Sequence, residues 1–332
     1  MSRLVFILGL GHSGSTLLDL MLSGHPQIVG IGEGRMVTRP RDRSRRLDAA
    51  ETKVCSCGLP MADCPLWSRY LQRMAADADC DQTAAYRHLL AAHGECAAAA
   101  PSDLESGGPL LSDSSKELGT LEVLASLLGD GSLDDLRVIH LVRDARSFAI
   151  SERNRGLKTG QRSGASLVVR AMRLWLKQNR RDVGRIGDLG LPTLNVGYEE
   201  LCFFPEATMA AVADFLDVPP DRGMLAPCPS GGHVAAGNPM RLDPQKSSRL
   251  TYDHRWFFSP AASAAYHMLP GVRRLNERLV YPRSRAGDGS DSFRPPTAVG
   301  FGKPAPQDAT QNPTQIDTQD TPPQAAGILT AP

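Results

Sequence analysis

Residues 6–26, FILGLGHSGSTLLDLMLSGHP, join an apolar run to a loop of small residues and then to a second apolar run. The first run is continuous and partly β-branched, which predicts a buried strand over residues 3–10, and STLLDLMLSG predicts a helix after the glycines. A strand that passes through glycines into a helix brings unpaired N–H groups to one point, where the helix dipole favours an anion. Ser13, Ser15 and Thr16 add hydroxyl donors. An ordinary turn between a strand and a helix is also rich in Gly and Ser, so both interpretations stand on local grounds.

The loop does not have the pattern of a Walker A nucleotide-binding loop. That pattern requires Gly-Lys-[Ser/Thr], in which the lysine reaches the terminal phosphates and the hydroxyl holds magnesium. Here Ser15 follows Gly14 directly, and His12 stands where a cation is wanted. The sequence therefore favours a phosphate site without a metal over a metal-dependent kinase.

Composition and hydropathy exclude several classes of protein. The chain has 332 residues, of which 41% are hydrophobic and 22% charged, as is ordinary for a globular protein. Its formal net charge of +1 gives no general attraction for nucleic acid or an anionic membrane. The apolar stretch 4–10 is short for a signal peptide and lacks a cleavage site, and no segment approaches the roughly 20 apolar residues of a membrane span. We expect a cytoplasmic protein with no nucleic-acid partner and no membrane span.

Strand and helix patterns alternate along the chain, which predicts an α/β fold with a parallel sheet covered by helices on both faces. Further strands are predicted at LRVIHLV (136–142) and LPTLNVGY (191–198). The predicted helices are KELGTLEVLASLLG (116–129), DARSFAISERNR (144–155), SLVVRAMRLWLKQNRRDVGRI (166–186) and PEATMAAVADFLDV (205–218).

Two segments depart from this alternation. Residues 34–105 are predicted to be an irregular insertion, in which RMVTRPRDRSRR (35–46) carries six arginines and forms either a solvated loop or a basic flap over an acidic ligand. Residues 283–332 are rich in Pro, Gln, Thr and Asp, and we expect a disordered tail because they bury too little apolar surface.

The segment CSCGLPMADC (55–64) carries three cysteines, Cys55, Cys57 and Cys64. Three ligands make an incomplete zinc site, which His88 or Cys80 would have to complete. We expect free thiols that pack a small subdomain instead, and no metal requirement.

Two separated motifs resemble the PAPS-dependent sulfotransferases (PAPS is 3′-phosphoadenosine 5′-phosphosulfate), especially the branch with the tyrosylprotein and many bacterial enzymes. GLGHSGSTLLDLMLSGHP (9–26) resembles their 5′-phosphosulfate loop, and IHLVRDARSFAIS (139–151) resembles their 3′-phosphate segment. VGYEELCFFPEATMAAVADFLDV (196–218) resembles their tyrosine-bearing strand and the helix after it. The resemblance spans roughly residues 3–280. It implies a three-layer P-loop-NTPase-like fold with a central parallel sheet, in a sulfotransferase domain over 1–282.

The resemblance also implies which residues bind the nucleotide. Arg143 ends a predicted strand and Ser151 lies about two helical turns past Asp144, so a guanidinium and a hydroxyl there can grip one phosphate. Arg155 resembles a further contact to that phosphate, and Tyr198 resembles the residue near the nucleotide, with a core tyrosine as the alternative. Separately, HVAAGNPMRLDPQK (233–246) has the Gly and Pro content of a loop, whose Arg241 is expected to cover the cofactor. The residues expected at the 5′-phosphosulfate are Gly11, His12, Ser13, Gly14, Ser15 and Thr16.

Sulfuryl transfer needs a base for the acceptor and a cation for the leaving phosphate, if it is loose and in-line like phosphoryl transfer. Glu33 in GIGEGR (30–35) aligns with the catalytic glutamate of the tyrosylprotein branch and is the candidate base. His12 stands where the family usually has Lys or Arg, and a neighbouring phosphosulfate favours its imidazolium form. Lys116 resembles the second catalytic cation. The expected acceptor is a hydroxyl or amine on a small molecule, carbohydrate, lipid or peptide. The alternatives are an ATP-dependent kinase and a non-catalytic nucleotide-binding protein.

Overall fold

Five parallel strands form the central sheet of this computed structural model, in the order β2-β3-β1-β4-β5. The structure describes residues 2–47, 53–77, 79–99, 109–158, 165–228, 231–237, 242 and 250–281. The strands are β1 (Arg3–Leu8), β2 (Ile28–Gly30), β3 (Leu110–Lys116), β4 (Asp135–Val142) and β5 (Thr193–Gly197). A parallel sheet with flanking helices confirms the α/β prediction.

Helices connect the strands and cover the sheet on both faces. Within the described residues they are α1 (Ser15–Leu22), α2 (Arg35–Thr38), α3 (Pro40–Leu47), α4 (Pro65–Ala76), α5 (Gln82–Ala98), α6 (Leu118–Gly129), α7 (Ala145–Lys158), α8 (Ala165–Leu189), α9 (Tyr198–Phe203), α10 (Pro205–Leu216), α11 (Pro260–Met268) and α12 (Val272–Val280). None of the helices described here combines the length and apolar character that crossing a membrane requires.

The alternation of side chains along β1 divides the apolar interior between the two faces. Leu4, Phe6 and Leu8 pack with the helices α4, α5 and α6, whereas Val5 and Ile7 pack with α1 and α10 on the other face. All five of these side chains are fully buried. Successive residues of a strand point to opposite faces, so a continuous apolar run is what a sheet covered on both sides requires.

Segment 34–105 differs from the irregular insertion predicted for it. Its described part contains α2 to α5, and Trp67, Tyr70 and Tyr86 are fully buried against the sheet. The arginine-rich stretch forms α2 and α3 instead of a solvated loop, and Arg43 is buried with its guanidinium donating to the Cys80 carbonyl at 2.7 Å. Propensity misled the prediction because these helices owe their stability to packing.

Other boundaries shift by a few residues. β1 ends at Leu8 instead of residue 10, and Tyr198 begins α9 instead of closing β5. The three-residue β2 was not predicted, because a strand this short shows no periodicity. The predicted tail 283–332 lies outside the described residues.

Candidate active site

One candidate functional group follows the carboxyl end of each strand. The loop 9–14 follows β1, Glu33 lies three residues after β2, and Lys116 is the last residue of β3. Arg143 follows β4 and Tyr198 follows β5. Because all five strands are parallel, these ends meet at one edge of the sheet, where open α/β sheets bind their ligands.

The loop after β1 depends on residues that accept a left-handed backbone. Gly14 has φ +96° at the start of α1, and a Cβ there would lie 2.5 Å from the ring of Tyr198, so only glycine fits. His12 also has a positive φ, +69°. The hydroxyl of Ser13 is buried and has no hydrogen-bond partner among the described residues. A buried hydroxyl donor without a partner, beside a helix N-terminus, is typical of a site that binds an anion.

Positive φ values are concentrated at this edge. Among the described residues other than glycine, only His12 (+69°), Lys116 (+69°) and Asp217 (+57°) have them. Asp217 follows α10 in an ordinary helix-ending conformation. The other two are candidate catalytic cations, and strained backbone of this kind clusters at functional sites.

Arg143 joins the β1 loop to the start of α7. Its guanidinium donates to the His12 carbonyl at 2.9 Å and to the Ser147 hydroxyl at 2.7 Å, and pairs with Asp253 at 2.8 Å. Its Cζ lies 4.7 Å from the centre of the Tyr198 ring, and the side chain is buried. The two sequence motifs are thus physically linked, and Asp253, which sequence reasoning missed, holds the guanidinium expected to bind a phosphate.

The other residues predicted at the 3′-phosphate lie further along α7 or outside the description. Ser151 is half-buried and follows Ser147 by four residues, so the two share one face of α7. Arg155 is exposed and forms an ion pair with Glu152. Arg241 lies outside the described residues.

Three cations converge on His12. Burial lowers the pKa of its imidazole, and the positive charges of Arg155, Arg143 and Lys116 lower it further. Glu152, whose carboxylate lies 4.0 Å from Nε2, opposes this shift. In the free chain the imidazole is therefore mostly neutral near pH 7.

Glu33 lies between two cations. Lys116 Nζ donates to Oε1 at 2.7 Å and the Arg35 guanidinium donates to Oε2 at 2.8 Å. Burial raises the pKa of the Glu33 carboxyl, but Lys116 and Arg35 outweigh it, so the net shift is downward. The group is a carboxylate near neutral pH and can accept a proton.

Asp113, a buried residue of β3, holds the backbone on both sides of this ion pair. Its Oδ1 accepts from the N–H of Gly34 at 3.3 Å and from the N–H of Ser115 at 2.8 Å, and Oδ2 accepts from the Tyr86 hydroxyl at 2.6 Å. One carboxyl group thus fixes the neighbour of Glu33 and the neighbour of Lys116.

A cavity of about 460 Å³ opens beside Lys116. It is lined by Gly9–Gly11, Arg35, Ser115–Gly119, Gln178, Arg181 and Asp182. Asp182 is 3% exposed, and burial raises the pKa of its carboxyl to about 6 although Arg181 opposes the shift. The cavity is large enough for a small polar molecule and is bordered by charged groups.

Sequence reasoning missed Arg35, Asp113, Ser147, Glu152 and Asp253. Arg35 was inside the quoted GIGEGR motif, and Ser147 lies one turn before Ser151 on a predicted helix, so both had a local signal. Asp253 lies more than 100 residues from Arg143 and had none.

Comparison with known proteins adds three findings. A model of the sulfotransferase family matches residues 5–222. The sulfotransferase domain from the Synechococcus PCC 7002 olefin synthase is 21% identical, with a TM-score of 0.48, over 85% of this chain and 96% of that one. The sulfotransferase domain from the curacin biosynthetic pathway is 18% identical, with a TM-score of 0.48, over 80% and 97% of the two chains. No curated protein matches.

Proposed function

Because this chain belongs to the sulfotransferase family, we propose that it transfers the sulfuryl group of PAPS to a hydroxyl or amine acceptor. The observation that carries the proposal is the meeting of five strand ends. There, a loop with a hydroxyl donor that has no described partner, the cations Arg143 and Lys116, and the carboxylate of Glu33 lie together. Such an edge suits a ligand with several negative charges and a reaction that needs a base.

We propose that the loop and α7 hold opposite ends of the nucleotide. The N–H groups and hydroxyls of residues 11–16 bind the 5′-phosphosulfate, with Ser13 Oγ as a donor that has no other described partner. Arg143, Ser151 and Arg155 bind the 3′-phosphate. A phosphate that takes the place of the Asp253 carboxylate leaves the Arg143 guanidinium paired, because both are anions of suitable shape.

The transfer step assigns one role to each remaining group. Glu33 takes the proton of the acceptor as the acceptor oxygen or nitrogen forms its bond to sulfur. The bond between sulfur and the 5′-phosphate oxygen breaks, and its electron pair stays on that phosphate. Lys116 and protonated His12 stabilise the leaving phosphate. The hydrogen bond between Lys116 and Glu33, at 2.7 Å, brings the base and a stabilising cation together before substrates bind.

The 460 Å³ cavity is the proposed acceptor site. Its charged lining favours a polar acceptor group, whether it belongs to a small molecule, a carbohydrate, a lipid or a peptide. Asp182 is a rival for the role of base, because a carboxyl with a pKa of about 6 is well suited to proton transfer near neutral pH.

Thermal unfolding with two nucleotides tests the donor. We expect 3′-phosphoadenosine 5′-phosphate (PAP), the product nucleotide, to raise the Tm without added magnesium, and Mg-ATP to leave it unchanged. A ligand at 100 times its Kd adds about 2.7 kcal/mol to the free energy of unfolding, which a melting curve detects.

The other outcomes separate the alternatives. A shift with Mg-ATP alone would favour the kinase. A shift with PAP, combined with no transfer of labelled sulfate from PAPS to any fraction of a cell extract, would favour a non-catalytic nucleotide-binding protein.

A further inference from the structure

Three cysteines from the segment 55–64 lie close to a histidine from a distant part of the chain. Cys55 Sγ lies 3.7 Å from Cys64 Sγ, and Nδ1 of His233 lies 3.2 Å from Cys64 Sγ and 3.9 Å from Cys55 Sγ. With Cys57 they form a group of four ligand atoms that all lie within 4.8 Å of one another. Cys55 and Cys64 are buried, and the other two are half-buried.

The spacing of these atoms fits one tetrahedral metal ion. Two thiolates on a tetrahedral zinc ion, with Zn–S bonds of about 2.3 Å, are about 3.8 Å apart. The observed Cys55–Cys64 sulfur separation is 3.7 Å. Three thiolates and one imidazole form a common structural zinc set, and thiolates select soft or borderline metals over magnesium or calcium. We propose that Cys55, Cys57, Cys64 and His233 bind a structural zinc ion.

The backbone holds the ligands independently of the side chains. The N–H of Cys55 donates to the Leu59 carbonyl at 2.8 Å, and the N–H of Gly58, which has φ +90°, donates to the Cys55 carbonyl at 2.9 Å. Cys64 directly precedes α4. One turn contains Cys55 and Cys57, and Cys64 stands at the start of α4. These two pieces of backbone therefore place the three sulfurs close together, as zinc-binding loops require.

The fourth ligand is a different residue from the two that the sequence suggested. The Asp77 carboxylate accepts a hydrogen bond from His88 Nε2 at 2.8 Å. Cys80 Sγ accepts from the Arg43 guanidinium at 3.3 Å. Together Asp77, Cys80 and His88 form a separate group of three. Neither His88 nor Cys80, the two residues considered as a fourth ligand, belongs to the group of Cys55, Cys57, Cys64 and His233, and the proposed zinc site departs from the expectation of free thiols. His233 stands 169 residues after Cys64, so its role had no local signal.

The proposed ligand His233 belongs to the segment that hydrogen-bonds to the loop containing Glu33. The N–H of His233 donates to the Gly30 carbonyl at 2.7 Å, and its carbonyl accepts from Trp67 Nε1 at 2.7 Å. Three residues later, the Ala236 carbonyl accepts from the N–H of Glu33 at 3.2 Å. A metal that ties His233 to the cysteine loop thus fixes the segment against which Glu33 rests. With four protein ligands the ion has no open position, so its role is structural.

Metal analysis of the full chain tests the site. We expect the protein, purified with a reductant and dialysed against a weak chelator, to retain one zinc per chain by mass spectrometry of the metals. Co²⁺ added to zinc-free protein should give the visible absorption of tetrahedral thiolate-bound cobalt. Iodoacetamide should label Cys55, Cys57 and Cys64 only after a strong chelator is added.

Matched variants locate the ion. Cys64→Ser and His233→Ala should each reduce the zinc content to below about one tenth per chain. Cys80→Ser and His88→Asn, which alter the neighbouring group of three, should keep a full equivalent. Where Cys64→Ser fails to fold, the cobalt spectrum and the alkylation pattern of the wild-type chain decide the matter.

Four results would overturn the proposal. They are a folded wild-type chain without a stoichiometric metal and without cobalt absorption, iron or copper in place of zinc, a full zinc equivalent in folded Cys64→Ser, and zinc lost in Cys80→Ser but kept in His233→Ala. None of these results depends on sulfuryl transfer.

Discussion

The two halves of the candidate active site differ in how their charges are balanced. In the phosphate half, defined as the loop 9–14 with Arg143, the Ser13 hydroxyl has no described partner and Arg143 pairs with Asp253, a carboxylate from a distant segment. In the transfer half, defined as Glu33, Arg35 and Lys116, the Glu33 carboxylate accepts from both cations, and Arg35 also pairs with Glu117 at 3.2 Å.

This difference separates binding from chemistry. A nucleotide phosphate would give the Ser13 hydroxyl an acceptor and replace the Asp253 carboxylate on Arg143, so we expect the phosphate half to gain most from the proposed nucleotide. Two cations hold the Glu33 carboxylate in place for the transfer step, although they also lower its pKa and hence its strength as a base. Substitutions in the phosphate half should therefore change affinity, and those in the transfer half should change turnover.

Glu33→Gln should have the largest effect. The amide keeps the shape of the side chain but cannot take a proton, so we expect the turnover rate to fall by about 10² to 10⁴ while PAP affinity stays within about twofold. Single-turnover transfer of labelled sulfate and calorimetric titration with PAP measure the two quantities.

Asp182→Asn is the matched comparison, because it removes a buried carboxyl that lines the cavity beside Arg35 and Lys116. We expect it to change the KM of the acceptor more than kcat. If Asp182→Asn abolishes turnover and Glu33→Gln does not, Asp182 is the base and the division of roles proposed for the transfer half is wrong.

Arg143→Ala should have the next largest effect, on affinity. Two charge-assisted hydrogen bonds to a phosphate are lost, at about 1.5–3 kcal/mol each, so we expect the Kd of PAP to rise by about 10² or more. The fold should survive, because Asp253 keeps its ion pair with Arg255. Calorimetry with PAP measures the change.

Arg137→Ala supplies the control for that substitution. Arg137 lies on β4, the strand that Arg143 follows, but pairs with Asp135 at the end of the strand away from the loop. Its loss should leave the Kd of PAP unchanged. Equal affinities in wild type and Arg143→Ala would remove Arg143 from the nucleotide site.

The sequence predicted the phosphate half better than the transfer half, for a physical reason. The β1 strand, its loop and α1 are contiguous, so the periodicity and the glycines are visible in 20 residues. Glu33 and Lys116 were identified one by one through the resemblance. Their ion pair joins residues 83 positions apart in the sequence and could not be predicted. The hydrogen bonds by which Asp113 holds the neighbours of both residues could not be predicted either. Contacts across a sheet depend on strand order, which local patterns do not encode.

The same limit explains the segment 34–105 and the cysteines. Its helices are stabilised by burying Trp67, Tyr70 and Tyr86 against the sheet, which composition alone does not reveal. The cysteines were visible as a group of three, and their fourth neighbour came from the segment 231–237 beyond the predicted helices. The sequence thus predicted most strands and helices outside the segment 34–105, whereas the contacts between residues distant in the chain came from the structure.

The smallest expected effect is a pH dependence of the affinity for PAP, which should depend on the phosphate half and not on the transfer half. Burial and neighbouring cations lower the pKa of His12 below 6.5 in the free chain, and a bound phosphate raises it. Binding therefore takes up a proton, so affinity for PAP should strengthen as the pH falls through this window. A rise of one pKa unit on binding corresponds to at most about a tenfold gain.

PAP titrates in the same pH range, so the comparison is made with His12→Asn, which cannot take up the proton. We expect the Kd of wild type to fall by a few-fold more than that of His12→Asn between about pH 8 and about pH 6. Glu33→Gln, which leaves the phosphate half intact, should keep the wild-type slope. Parallel profiles for wild type and His12→Asn would show that the imidazole does not charge on binding, and the leaving phosphate would then depend on Lys116 alone.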